Sequence, residues 1–265
     1  MEGENKEIFP QPTKEVNSPP IIRSPHFATT MGEIRRKSPE ITEDVRRILE
    51  SVDKQGIENM GFFESSDYLG LRIPYTKVNV NEVAGKSFPS LKTGNANGEE
   101  QRKIVYFLFQ GMGGHPFASW QMVYDRTITS FAKIASAIKR GETPPEIDIY
   151  SLGSPEGLGG RVSEKWQEAI KNEGFEAYGK AYASLVKGLL EDDNQPVNRT
   201  IVFNGNSLGS TVAEKTSGVL KPLGYEIKLL LDNPVNTDSY SQPLKYARAH
   251  SRLSLIWESG ECVNW

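Results

Sequence analysis

A serine lies between two glycines at the end of an apolar segment. Residues 201–210 read IVFNGNSLGS, which places Ser207 at the centre of a G-x-S-x-G pattern. We predict a buried strand over Thr200–Asn204 and a helix from Ser207 to about Leu220. A serine on a tight strand-to-helix turn exposes its hydroxyl and can attack a carbonyl carbon. The N–H of Leu208 then points toward the negative charge that develops on the carbonyl oxygen.

The same pattern has a simpler interpretation, in which Ser207 only caps the helix and the glycines shape a turn. A nucleophilic serine needs small residues two positions before and two after it, because neighbouring backbone approaches closely there. Gly205 and Gly209 occupy those positions. The combination of strand, glycines and helix favours the nucleophile over the cap.

A second glycine cluster, Gln110–Pro116 (QGMGGHP), follows the predicted strand Lys103–Phe109 and opens a helix. A second donor to the oxyanion is expected at this place. We predict the N–H of Met112 as that donor, with Gly113 as the next candidate. A phosphate-binding loop is disfavoured because Pro116 stands where G-x-G-x-x-G requires its third glycine, and no G-K-[ST] follows.

Strands and helices alternate along most of the chain. The other predicted elements are a helix Pro39–Gln55, a strand Leu71–Val80, an exposed connection Gly85–Glu100, a helix Ala118–Arg140, a strand Glu146–Leu152, a helix Ser163–Leu190 and a strand Glu226–Leu231. This alternation predicts an α/β fold, a three-layer sandwich with a mostly parallel sheet and helices on both faces.

These motifs together resemble the α/β-hydrolase family of esterases, lipases and thioesterases, over about Lys103–Pro234. The resemblance implies a serine hydrolase that cleaves a carboxylic ester or thioester of a small acyl substrate through an acyl-enzyme. It also implies that Gly111–Gly114 is the oxyanion loop, and that the triad follows the order serine, acid, histidine.

Asp232 is the predicted acid, because it ends the strand that follows the serine and resembles the acid of lipases whose carboxylate comes at this point. An aspartate before a proline can equally cap a turn. The alternatives that stay open are Asp238, Glu258 and Glu261.

The chain has three histidines. His250 is the predicted base because it follows the serine and the acid in chain order, although a solvated histidine at a helix end is the simpler interpretation. His115 lies in the predicted oxyanion loop and is expected to contact substrate or to pack the loop. His26 falls in the predicted N-terminal tail.

We predict three regions: a flexible tail over residues 1–40, an N-terminal helix, strand and connection over 41–100, and the hydrolase-like core over 101–265. The segment Leu253–Trp257 resembles the start of a further core strand, and the chain ends at Trp265. We therefore expect the core to be incomplete at its C-terminus. A second hypothesis follows, namely a noncatalytic or truncated relative that binds a ligand or protein.

The composition of the chain limits the classes of partner that it is expected to bind. The formal net charge is −3 at pH 7, which provides no basic surface for nucleic acid. No apolar run approaches the roughly 20 residues of a membrane span, and no signal peptide is evident, so we expect a cytoplasmic protein. Cys262 is the only cysteine, which excludes an internal disulfide. No cofactor or metal site is predicted.

Overall fold

The computed structural model describes residues 25–37, 42–88, 102–110, 115–118, 120–156, 163–191 and 199–232. The helices are α1 (Pro25–Lys37), α2 (Thr42–Glu58), α3 (Val80–Ser87), α4 (Trp120–Lys139), α5 (Glu164–Glu173), α6 (Phe175–Glu191) and α7 (Leu208–Leu220). The strands are β1 (Met60–Glu64), β2 (Arg72–Asn79), β3 (Lys103–Phe109), β4 (Glu146–Leu152), β5 (Arg199–Asn206) and β6 (Ile227–Asp232). None of these helices is long and apolar enough to cross a bilayer.

The strands form a six-stranded sheet in the order β1-β2-β4-β3-β5-β6. The pairs β3–β4, β3–β5 and β5–β6 are parallel, whereas β1–β2 and β2–β4 are antiparallel. The fold is therefore of the α/β class, but its sheet is mixed, and the prediction of a mostly parallel sheet was wrong. The short connection over residues 65–71 joins β1 to β2 as a hairpin, which requires antiparallel strands.

Helices cover both faces of this sheet. In β3, Val105, Phe107 and Phe109 join the apolar cluster that α5, α6 and α7 share. The intervening Tyr106 and Leu108 join a second cluster with α1, α2, α3 and α4. The continuous apolar run of β3 is buried on both faces because each of its sides packs against helices, as its sequence predicted.

Two α-helices and one strand of the structure were absent from the sequence prediction. Helix α1 lies within the predicted tail, where Phe27 and Met31 are buried. Strand β1 is only five residues long. Helix α3 begins inside the predicted strand Leu71–Val80, where the side chain of Asn79 accepts a hydrogen bond from the N–H of Glu82 and caps the helix.

The predicted helix Ser163–Leu190 is two helices. Gly174 ends α5 with φ 62° and ψ −131°, a backbone conformation that residues with a Cβ avoid. The chain turns there and α6 begins at Phe175. The sequence prediction missed this break because glycine within an apolar periodic segment is compatible with a continuous helix.

The N-terminal end of α4 is anchored by a buried carboxylate from α2. Asp53 is 1 % exposed, and its Oδ1 accepts hydrogen bonds from Trp120 Nε1 at 2.7 Å and from the Tyr124 hydroxyl at 2.6 Å. This pair of bonds fixes the start of α4, the helix that follows the second glycine cluster.

Candidate active site

Ser207 occupies the turn between β5 and α7 in a strained conformation. Its φ is 55° and its ψ is −126°, a region that is sparsely populated by residues other than glycine. Such a conformation costs on the order of 1–3 kcal/mol and persists only when the surrounding structure holds it. The tight strand-to-helix turn that the sequence predicted is present at this serine.

The two glycines beside Ser207 are sterically required. A Cβ at Gly205 would lie 2.5 Å from the Cα of Ser210 and 2.6 Å from the carbonyl oxygen of Gly209. A Cβ at Gly209 would lie 2.6 Å from the carbonyl oxygen of Gln110 and closer still to that of Phe109. The turn therefore packs directly against the carboxyl end of β3.

The geometry of the turn disagrees with the interpretation in which Ser207 only caps helix α7. In the described first turn of α7, the Ser207 side chain makes no capping hydrogen bond to a backbone N–H. A capping serine adopts an extended backbone, which the positive φ of Ser207 departs from. Leu208 is the first residue of α7, so its N–H is among the groups that have no partner within the helix.

The end of β6 lies beside the turn. The N–H of Ser207 donates to the carbonyl oxygen of Asp232 at 2.8 Å, which extends the β5–β6 ladder into the turn. The Ser210 hydroxyl lies 3.0 Å from the same carbonyl oxygen and 2.9 Å from that of Gly205. Asp232, the predicted acid, is exposed at this edge of the sheet.

The second glycine cluster lies partly outside the described residues, and Met112 and Gly113 are among those not described. The residues on either side of the cluster are placed. Gln110 follows β3 against Gly209, and the Ser151 hydroxyl donates to the carbonyl oxygen of Pro116 at 2.6 Å. Both flanks of the cluster therefore lie at the carboxyl edge of the sheet, where Ser207 is found.

His115 is packed within the fold. Its side chain is 8 % exposed, its Nδ1 accepts a hydrogen bond from the N–H of Phe117 at 3.2 Å, and its ring stacks on that of Phe117. Burial lowers the pKa of His115 to about 4, because the charged form would lose its hydration. These contacts favour the loop-packing interpretation of this histidine over substrate contact.

The lowered pKa of His115 predicts a specific acid sensitivity. The unfolded chain, with a pKa of about 6.5, binds the proton more readily than the folded chain. The stability that depends on neutral His115 is complete above about pH 6.5 and is lost as the pH falls toward about 4. Between about pH 7 and about pH 5, this histidine should remove about 2 kcal/mol from the free energy of unfolding.

Urea unfolding of the wild type and His115→Asn at both pH values measures this contribution. The asparagine does not titrate and can offer an acceptor to Phe117, so its acid-dependent loss should be smaller by about 2 kcal/mol. An equal loss in the two proteins would contradict the assignment.

The remaining predicted site residues are not described. His250 and the alternative acids Asp238, Glu258 and Glu261 all lie in residues 233–265, outside the described ranges. His26 lies in α1. Across the described ranges, no three metal-ligating side chains gather as they would around a metal ion.

Two polar side chains at the site were not singled out from the sequence. Ser210 joins the turn to β6 as described above. The buried Asn204 donates through Nδ2 to the carbonyl oxygen of Leu230 at 3.2 Å, and its Oδ1 accepts from Arg126 Nε at 2.6 Å. Ser210 follows Ser207 by three residues, which was a signal that it shares the serine's side of the helix. The partners of Asn204 are distant in sequence and gave no such signal.

Comparison with known proteins adds little to this geometry. No family model matches the chain, and no curated protein matches it. Among solved structures, the chain is similar to one reported in a study of two fungal esterases from Rhizomucor miehei and their substrate specificity. The identity is 16 %, the alignment covers 88 % of this chain and 67 % of that one, and the TM-score is 0.33.

Proposed function

We propose that this protein is a serine hydrolase that cleaves a carboxylic ester or thioester through an acyl-enzyme, with Ser207 as its nucleophile. The observation that carries the proposal is the conformation of Ser207, a strained non-glycine residue between a buried strand and a helix whose first turn its side chain does not cap. Strained residues cluster at active sites, where a side chain has to be presented rather than packed.

In the first half of the proposed reaction, the Ser207 hydroxyl attacks the carbonyl carbon of the substrate while a base removes its proton. The carbonyl oxygen becomes an oxyanion that accepts hydrogen bonds from the N–H of Leu208 and from the N–H of Met112 or Gly113. Collapse of this intermediate breaks the bond to the alcohol or thiol, which leaves with the proton held by the base.

In the second half, water attacks the acyl-Ser207 ester and the base removes a proton from the water. The second oxyanion collapses, releases the carboxylic acid, and returns the proton to Ser207. We assign the base to His250 from its chain order. Each oxyanion donor is expected to contribute about a hundredfold to a thousandfold in kcat.

The assignment of Asp232 as the acid is supported by its position. Its main chain is bonded to the N–H of Ser207, and its side chain is exposed at the carboxyl edge of the sheet where that serine lies. A carboxylate there can orient an imidazole and stabilise its charged form. Asp238, Glu258 and Glu261 are the alternatives.

The proposal is tested by comparing p-nitrophenyl butyrate with a butyryl thioester. Both substrates would form the same butyryl-Ser207, so their kcat values should converge wherever hydrolysis of that intermediate limits the rate. The p-nitrophenyl ester should also show a burst that approaches one nitrophenolate for each chain, with one butyryl group retained on the protein in intact mass spectrometry.

A wild type with neither turnover nor a burst would contradict the proposal. The noncatalytic hypothesis, a hydrolase-like protein that binds a ligand or protein, would then replace it.

A further inference from the structure

The hydroxyl of Ser210 lies between two backbone carbonyls that belong to different strands. Ser210 is fully buried in the first turn of α7, with its Oγ 2.9 Å from the Gly205 oxygen in β5 and 3.0 Å from the Asp232 oxygen in β6. A hydroxyl has one proton to donate, so it is shared or alternates between these two acceptors.

The carbonyl of Asp232 thereby receives two donors from the same turn. The N–H of Ser207 reaches it at 2.8 Å, and a carbonyl oxygen has two lone pairs, so both bonds can form together. The Asp232 carbonyl oxygen thus accepts hydrogen bonds from the backbone of Ser207 and from the side chain of Ser210. The carboxylate of Asp232 is attached to this main chain.

We propose, on the basis of the proposed function, that Ser210 is a positioning residue, whose hydroxyl fixes the Asp232 main chain against the Ser207 turn and so sets the separation of acid and nucleophile. Ser210 contacts neither substrate nor reacting atoms. The Ser210 hydroxyl acts indirectly, because it holds the strained turn at Ser207 and the end of β6 in place.

The rest of the β5–β6 pairing does not depend on this hydroxyl. The ladder between the strands begins at the pair of Ile201 and Ile227, and Asn204 adds a side-chain bond to the carbonyl of Leu230. Loss of the Ser210 hydroxyl should therefore loosen the last residue of β6 without separating the strands.

The test compares Ser210→Ala with Ser217→Ala in the full chain. Ser217 is a matched control because it lies in the same helix and is 1 % exposed, and its hydroxyl has no hydrogen-bond partner among the described residues. We expect Ser210→Ala to lower kcat for p-nitrophenyl butyrate about tenfold to a hundredfold with KM nearly unchanged, because misplaced catalytic groups slow chemistry more than binding. Ser217→Ala should keep the wild-type kcat.

A second readout does not require activity. Amide hydrogen exchange of Ser207, followed by NMR, should be about three- to tenfold faster in Ser210→Ala than in the wild type, which corresponds to the loss of one hydrogen bond. Should Ser210→Ala fail to unfold cooperatively, Ser210→Cys replaces it. Its thiol has a similar shape and donates only weakly, so the same changes are expected in smaller measure.

The outcomes separate this inference from the proposed function. Wild-type turnover with an unchanged kcat and unchanged Ser207 exchange in Ser210→Ala would overturn the positioning role alone. Absence of wild-type turnover would overturn the proposed function and, with it, the catalytic part of this inference. An equal loss of kcat in Ser217→Ala would mean that both substitutions slow the reaction through general destabilisation. This outcome would also overturn the positioning role.

Discussion

Replacing Ser207 with alanine should lower kcat/KM for p-nitrophenyl butyrate by at least about a thousandfold, because the variant has no hydroxyl with which to form the acyl-enzyme. Stability should hardly change, because alanine at φ 55° meets the same strain as serine. Initial rates over a substrate series give the kinetic loss, and urea unfolding gives the stability.

Ser207→Gly is the informative companion variant. Glycine adopts the positive φ of this turn without strain but loses more chain entropy on folding, so the variant should be inactive yet about 0.5–2 kcal/mol more stable than the wild type. A variant that lost its hydroxyl and kept wild-type turnover would contradict the role of Ser207. A glycine variant of unchanged stability would contradict the strain.

Replacing Gly209 with alanine should destabilise the protein by at least about 3 kcal/mol. The added methyl would overlap the carbonyl oxygens of Phe109 and Gln110, which are backbone atoms and cannot rotate away as a side chain could. Either the first turn of α7 or the end of β3 would have to move, and both carry the candidate site. Urea unfolding measures this loss.

Gly218→Ala provides the matched control. Gly218 lies in the same helix, and among the described residues a Cβ built there meets no atom within 4 Å apart from its chain neighbours and its own helix backbone. Alanine is a better helix former than glycine, so this variant should be about 0.5–1 kcal/mol more stable than the wild type. Equal effects of the two substitutions would contradict the tight packing of the turn against β3.

Much of the core could be predicted from the sequence because its signals are local. The strand Lys103–Phe109 is a continuous apolar run, and β4 was predicted with the bounds that the structure gives. The turn at Ser207 combines an apolar strand, two glycines and a helix within ten residues. The structure of each of these segments can therefore be predicted from its own residues, without knowledge of the distant residues that it contacts.

Other parts of the fold depend on partners that the sequence does not identify. The direction of β2 follows from its hairpin with β1, a strand of five residues too short to show a period. Helix α1 has few apolar residues, and its buried Phe27 and Met31 belong to a cluster whose other described members come later in the chain. Composition alone therefore predicted a tail where a helix is found.

The candidate site likewise has one part that the sequence predicts and another that depends on distant partners. The serine and its glycines form one short motif, whereas the bond between Ser207 and Asp232 joins residues that only strand pairing brings together. The hydrogen bond from the Ser210 hydroxyl to the Asp232 carbonyl oxygen depends on that strand pairing as well. The predicted base, His250, lies outside the described residues, and its assignment follows from chain order.

The central claim is that Ser207 is an activated nucleophile, and the most direct test is reaction of the purified chain with a fluorophosphonate, followed by mass mapping of the adduct. We predict one phosphonate group for each chain, attached to Ser207, absent from Ser207→Ala and retained by Ser217→Ala. An unmodified wild type, or an adduct at any other residue, would contradict the claim.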